Sequence, residues 1–235
     1  MTRKTQSIGL AIVICTLPLA GCGLSSRDRK TQIPDDVKTT PAEQKKAKVL
    51  KQIDRNFQNP QAHFKLGQLY QDDGLWTHAA NEYRIALNFD PAYKQAQAAR
   101  IKVLMQLGDN TKAEFLADEY MSQASTSAAG SLNLALAFQK QQLDDYALDC
   151  YQRALRLAPN SAKINRQIAY YYLSKNDTAR GKDYLMRSFD LDWNQPEVAG
   201  ELGRLDVEIQ IPRKTQKHTK KLDKIVEQSD KEMVP

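Results

Sequence analysis

PQAHFKLGQLYQDDGLWTHAANEYRIALNFDPAY, residues 60–93, decides the fold. A first helical half carries Phe64, Leu66, Gly67, Leu69 and Tyr70, and Gly74 ends it, as a residue free to take positive φ should. A second half carries Trp76, Ala80, Tyr83, Ala86 and Leu87, and Asn88 to Pro91 closes it. Steps of 34 residues from Gly67 reach Ile101, Ala135 and Ala169. The same steps from Ala79 reach Ala113, Ala147 and Gly181.

A pattern of this kind at a 34-residue period resembles the tetratricopeptide (TPR) repeat, a helix-turn-helix unit that stacks into a solenoid. The resemblance implies an all-α fold of about four repeats: 60–93, 94–127, 128–161 and 162–195. It also implies that Gly67 and Ala79 face one another, small side chains letting the paired helices approach. The copies are unequal. In the second, Arg100-Ile101 stands in place of Leu-Gly and Ser125 in place of proline, which makes Met121 to Gly130 the expected weak point. The third recovers Leu134-Ala135, Phe138, Ala147, Tyr151 and Pro159. The fourth keeps Ile168-Ala169, Tyr172, Gly181 and Leu185.

The flanks have other compositions. Arg3 and Lys4 precede the apolar run Ile8 to Leu19, too short for a stable membrane span, so residues 1–21 read as a secretory signal. Leu19-Ala20-Gly21-Cys22 resembles the bacterial lipobox. That resemblance implies cleavage between Gly21 and Cys22 and lipidation, palmitate included, of the Cys22 thiol. An ordinary signal followed by an incidental cysteine is the other reading. Residues 22–40 have few apolar side chains and read as a flexible tether. Thr40, Pro41 and Glu43 then open a helix over 41–57, with an apolar stripe of Ala47, Leu50, Ile53 and Phe57. It is expected to cap the first repeat, as a second helix over 196–211, bearing Val198, Leu202, Leu205 and Ile209, caps the last. Residues 212–235 form a tail bearing Arg213, Lys214, Lys217, Lys220, Lys221 and Lys224. Such a tail serves either an anionic partner or solvent alone.

Chemistry is hard to find. His63, His78 and His218 have no carboxylate or cysteine at metal-ligand spacing, so no metal or cofactor is expected. No nucleophile elbow or phosphate-binding glycine loop occurs. His63 stands at the family's Trp position and reads as a packing residue. Cys150, the one thiol left after Cys15 and Cys22, reads as a small core or groove residue. The formal charge is +6, modest enough to admit an anionic surface without selecting one, and nucleic acid is not an expected partner.

In TPR stacks the first helices line a concave face. The resemblance places Phe64, Gln68, Gln71, Lys102, Asn133, Leu136, Lys163, Arg166 and Tyr170 on it, with Ala98 and Leu132 at equivalent positions. Amides, cations and apolar groups in that mixture suit an extended peptide or helix. Asn133 and Lys163 also match positions of the carboxylate-clamp TPRs, whereas Ala98, Lys102 and Gln167 depart from them. The layout resembles the outer-membrane TPR lipoproteins of type IV and Tad pilus biogenesis, and also TPR lipoproteins that recruit cell-wall hydrolases. The implied function is a membrane-anchored, non-catalytic adaptor for pilus or secretin assembly. A cell-wall-associated structural role is the alternative, and an enzyme would need a constellation assembled only by folding. Gly23 follows Cys22 where aspartate would retain a lipoprotein at the inner membrane, so an outer-membrane anchor facing the periplasm is expected in a two-membrane organism.

Overall fold

The computed structural model describes residues 40–209 and Lys224. These belong to the unit spanning Thr39–Pro235, and Met1–Lys38 is a separate unit outside the described residues. The lipobox at Cys22, the tether before Thr40 and the tail apart from Lys224 therefore lie outside them.

Among the described residues there are ten α-helices in the numbered range and no strand. They run α1 (Pro41–Arg55), α2 (Pro60–Asp72), α3 (Trp76–Phe89), α4 (Lys94–Gln106), α5 (Asn110–Ala124), α6 (Ala128–Lys140), α7 (Asp144–Leu157), α8 (Ala162–Ser174), α9 (Thr178–Leu191) and α10 (Pro196–Arg204). The helices α2, α4, α6 and α8 start 34 residues apart, and so do α3, α5, α7 and α9. This is an all-α TPR solenoid.

The period extends to the turns. Gly74, Gly108, Gln142 and Asn176, each 34 residues from the next, have positive φ of 72°, 80°, 59° and 60°. The amides that follow close the helices: Leu75 to Tyr70, Asp109 to Leu104, Leu143 to Phe138 and Asp177 to Tyr172. This is the Schellman arrangement, in which a left-handed residue lets two orphan carbonyls find donors. Only two of the four turns use glycine for it.

Size exchange closes each helical hairpin. A Cβ placed on Gly67 would lie 2.5 Å from Cε1 of Tyr83, so α2 and α3 meet at a glycine against a ring. In the second repeat the same two positions hold Ile101 and Ala117, both fully buried. The bulk has moved from the second helix to the first. The loss of the Leu-Gly pair is thus a swap, with α4 and α5 touching along a shorter stretch than the other hairpin pairs.

A second column joins the repeats. The fourth residue of each first helix is polar and buried: His63, Gln97, Ser131 and Asn165, none above 2% exposed. Each reaches back to a carbonyl of the preceding turn. His63 Nε2 lies 2.8 Å from the Phe57 oxygen, and Gln97 Nε2 donates to Pro91 at 2.6 Å. Ser131 Oγ donates to Ala124 at 3.1 Å, and Asn165 Nδ2 to Pro159 at 3.2 Å. A buried carbonyl without a partner costs about 1–3 kcal/mol, so these side chains hold the inter-repeat turns in place. The junction without proline is held the same way. Ser127 caps α6 through the Gly130 amide at 2.9 Å, and Ser125 Oγ donates to Ser122 at 2.6 Å.

Two sequence expectations are corrected at the ends. In α1 the Thr40–Glu43 capping box forms, but the buried face is Val49 and Ile53. Leu50 and Phe57 are 41% and 60% exposed and Ala47 is exposed. Ala62 and Leu66 of α2 select the Val49–Ile53 pair, four residues apart, as the stripe they can cover. At the other end α10 stops at Arg204 instead of near 209–211. Asp206 turns left-handed at φ 55°, and the Val207 amide closes onto the Leu202 carbonyl at 3.0 Å. Leu205, Val207 and Ile209 still pack on the terminal cluster of Leu185, Phe189, Val198 and Leu202.

Gln142 and Asn176 are the exposed, side-chain-bearing members of the left-handed column, and of the two glutamine tolerates φ 59° less well than asparagine does. Gln142→Gly removes that strain and is expected to raise stability by about 0.5–1 kcal/mol in urea unfolding. An unchanged or lower midpoint would show that the turn carries no such strain.

Candidate ligand-binding groove

The first helices position the candidate residues by their register. The fifth residue of each is Phe64, Ala98, Leu132 or Arg166, and the ninth is Gln68, Lys102, Leu136 or Tyr170. Their exposure separates them. Phe64 is 7% exposed, and Ala98 and Leu132 are fully buried. The Phe64 ring packs 5.6 Å from Tyr83 and 5.0 Å from Tyr93. Phe64 is therefore a core residue and not a groove contact. Tyr93, from the turn before α4, covers it.

Gln68, Lys102, Leu136 and Tyr170 are all half-buried, one per first helix at 34-residue steps. They form a file of one amide, one cation, one aliphatic and one phenol. The other candidates are engaged by the fold. Gln71 accepts the Tyr83 hydroxyl at 2.8 Å, and its counterpart Gln139 accepts that of Tyr151 at 2.5 Å. Burial, helped by Asp72, holds the Tyr83 phenol well above its ordinary range, so it stays a donor. Gln71 also donates to Gln141 at 3.4 Å, joining the end of α2 to the turn after α6. Arg166 donates to Gln195 at 3.0 Å and Gln195 in turn to the Ser188 carbonyl at 3.0 Å. Asn133 and Lys163 are half-buried and also have partners within the fold.

Chemically the face can pair backbone amides, attract an anion at Lys102 and seat an apolar side chain at Leu136 or Tyr170. Among the described residues no group of three or more His, Cys, Asp or Glu side chains could hold a metal ion. Cys150 is 3% exposed, and burial, reinforced by Asp149, pushes its thiol up to about 12. It remains a thiol at neutral pH, which removes it as a nucleophile. His63 has a role that its sequence position did not reveal. Its Nδ1 lies 2.7 Å from the Glu82 carboxylate while Nε2 meets the Phe57 carbonyl, linking α2, α3 and the turn after α1.

No family model matches the chain. A curated relative, human protein O-mannosyl-transferase TMTC1, is 26% identical over 125 residues, 53% of this chain and 14% of that protein. The chain thus spans a small part of the curated relative it matches. Among solved structures, TTC0263, a thermophilic TPR protein of Thermus thermophilus, is 16% identical with a TM-score of 0.39. The match covers 69% of this chain and 89% of that one. Pseudomonas aeruginosa pilF is 22% identical with a TM-score of 0.36, covering 74% of each chain. The fold assignment rests on the repeated helix pairs themselves.

The division between core and groove is measurable. Phe64→Ala is expected to cost about 3–5 kcal/mol of stability, as deletion of a buried ring does. Gln68→Ala is expected to change it by less than about 0.5 kcal/mol. Equal losses in urea denaturation would place Phe64 back on the surface.

Proposed function

We propose that this chain is a membrane-anchored, non-catalytic adaptor whose concave helical face holds a segment of a partner protein during assembly of a cell-envelope machine, a pilus or secretin channel first among these. The observation that carries the protein-binding part is the file Gln68, Lys102, Leu136 and Tyr170, four dissimilar half-buried side chains kept in line by a uniform repeat. A surface with amide, charge and apolar groups in sequence recognises a polypeptide better than a small substrate. The anchor rests on Leu19-Ala20-Gly21-Cys22. Each buried lipid CH₂ adds about 0.8 kcal/mol, so several acyl chains on Cys22 make the attachment lasting. In an organism with two membranes, Gly23 favours the outer one, with the repeats in the periplasm.

Arg213, Lys214, Lys217, Lys220, Lys221 and Lys224 favour a second reading, a cell-wall-associated lipoprotein whose tail binds anionic polymer or that recruits wall hydrolases. Radiolabelled palmitate and fractionation test the anchor. The unaltered chain should take label and sediment with membranes, and Cys22→Ser should lose both; an unlabelled, soluble chain would remove the anchor from the account. Removal of residues 212–235 should leave sedimentation with peptidoglycan unchanged. Its loss would move the reading to the wall-binding role.

A further inference from the structure

A cavity of about 440 Å³ lies at the α1 end of the file and shares Gln68 with it, between α1, α2 and the turn after α6. Its size falls within the roughly 300–1,000 Å³ of ligand-binding sites. Lys45, Lys48 and Gln52 lie along one wall at spacings of three and four, so they share one face of α1. Lys65, Gln68 and Asp72 line the facing wall on α2. Val49 and Leu69 supply apolar surface, and Gln71 and Gln141 close one end through their 3.4 Å bond.

The lining is selective in charge. Three lysines stand against one carboxylate, Asp72. The neighbouring Lys46 is turned away, 4.2 Å from the Tyr70 ring and 3.9 Å from Asp73. Among the described residues Lys45, Lys48 and Lys65 have no ion-pair partner, and all three are exposed. Four glutamines border the same space: Gln52 and Gln68, and the pair Gln71 and Gln141, which are bonded to each other. A primary amide presents donor and acceptor together, which matches the alternating N–H and C=O groups of an extended backbone. A bare phosphate would use the lysines alone, whereas an extended backbone also matches the donor and acceptor of the Gln52 and Gln68 amides.

We propose that this cavity takes an extended, acidic segment of a partner polypeptide, its carboxylates against Lys45, Lys48 and Lys65 and its backbone against the glutamine amides. An extended segment sends alternate side chains to one face, so acidic residues at every second position would meet the lysines together. The proposal deepens the adaptor reading, on which it rests, by giving the partner a chemistry and by making α1 part of the recognition surface.

The test is fluorescence anisotropy with the full-length chain in detergent at low salt. The probes are a fluorescein-labelled nonapeptide of alternating Glu and Ser and its Gln–Ser counterpart. The acidic peptide should bind at least about tenfold more tightly than the neutral one. Lys48→Glu with Lys65→Glu should weaken it at least about tenfold, whereas the charge-matched pair Lys112→Glu with Lys182→Glu should change it less than about twofold. Gln141→Ala should weaken it about threefold with an unchanged melting temperature. Equal binding of the two peptides, no binding, or indifference to the Lys48 and Lys65 reversals overturns the proposal. Loss on Lys102→Glu in place of those reversals puts the acidic segment in the groove, which sinks the cavity and leaves the adaptor standing. Phosphatidylglycerol vesicles that respond to the lysine reversals when the peptide does not bind would make this a headgroup site and likewise overturn it.

Discussion

The closeness of two helices at one residue sets the geometry of each repeat. Gly67 leaves no room for a Cβ beneath Tyr83, and the 2.5 Å approach that a methyl would suffer shows how tight the hairpin is. At crystal-like density such a change is absorbed only if the ring or its helix shifts, as the third repeat does with Ala135 beside Tyr151. Ile101 with Ala117, and Ala169 with Leu185, meet the same demand with bulk differently divided. The repeat therefore tolerates drift in either residue so long as one of the pair stays small, as Ala135 does beside Tyr151. What is repeated every 34 residues is a shape shared by two side chains.

The column of His63, Gln97, Ser131 and Asn165 does for the stack what the size exchange does for the hairpin. Four unlike side chains perform one task, tying a buried polar group of the first helix to a carbonyl at the end of the preceding helix or turn. With hairpins closed by volume and turns held by hydrogen bonds, the ninth residues of the first helices fall into line. The alignment of Gln68, Lys102, Leu136 and Tyr170 is a consequence of those buried contacts and does not depend on what the four side chains are.

Much of this was legible because the period is long-lived in the chain. Helix starts, the glycine turns and the Thr40–Glu43 cap follow from local chemistry that one sequence displays. Elsewhere the deciding neighbour was distant. Phe64 was expected on the concave face, but Tyr93 folds over it, and its counterparts Ala98 and Leu132 are fully buried as well. The stripe of α1 was ambiguous until Ala62 and Leu66 chose Val49 and Ile53. The polar column escaped notice because histidine, glutamine, serine and asparagine look alike only once their targets are known. Gln141 joins the α1–α2 cavity from a helix pair two repeats along, which no local pattern announces.

The proposed function is a division of labour: volume and buried polarity build the stack, and the half-buried side chains on its first helices are proposed to meet a partner. Site-specific photo-crosslinking in intact cells tests that division most directly. A benzophenone side chain at Leu136, half-buried in the file of first-helix residues, is compared with one at Phe115, which is 68% exposed on the second helix α5. One discrete adduct of defined mass is expected from position 136, reduced by Tyr170→Ala, and none of that mass from position 115. The same adduct from both positions, or from Phe115 alone, would contradict that division.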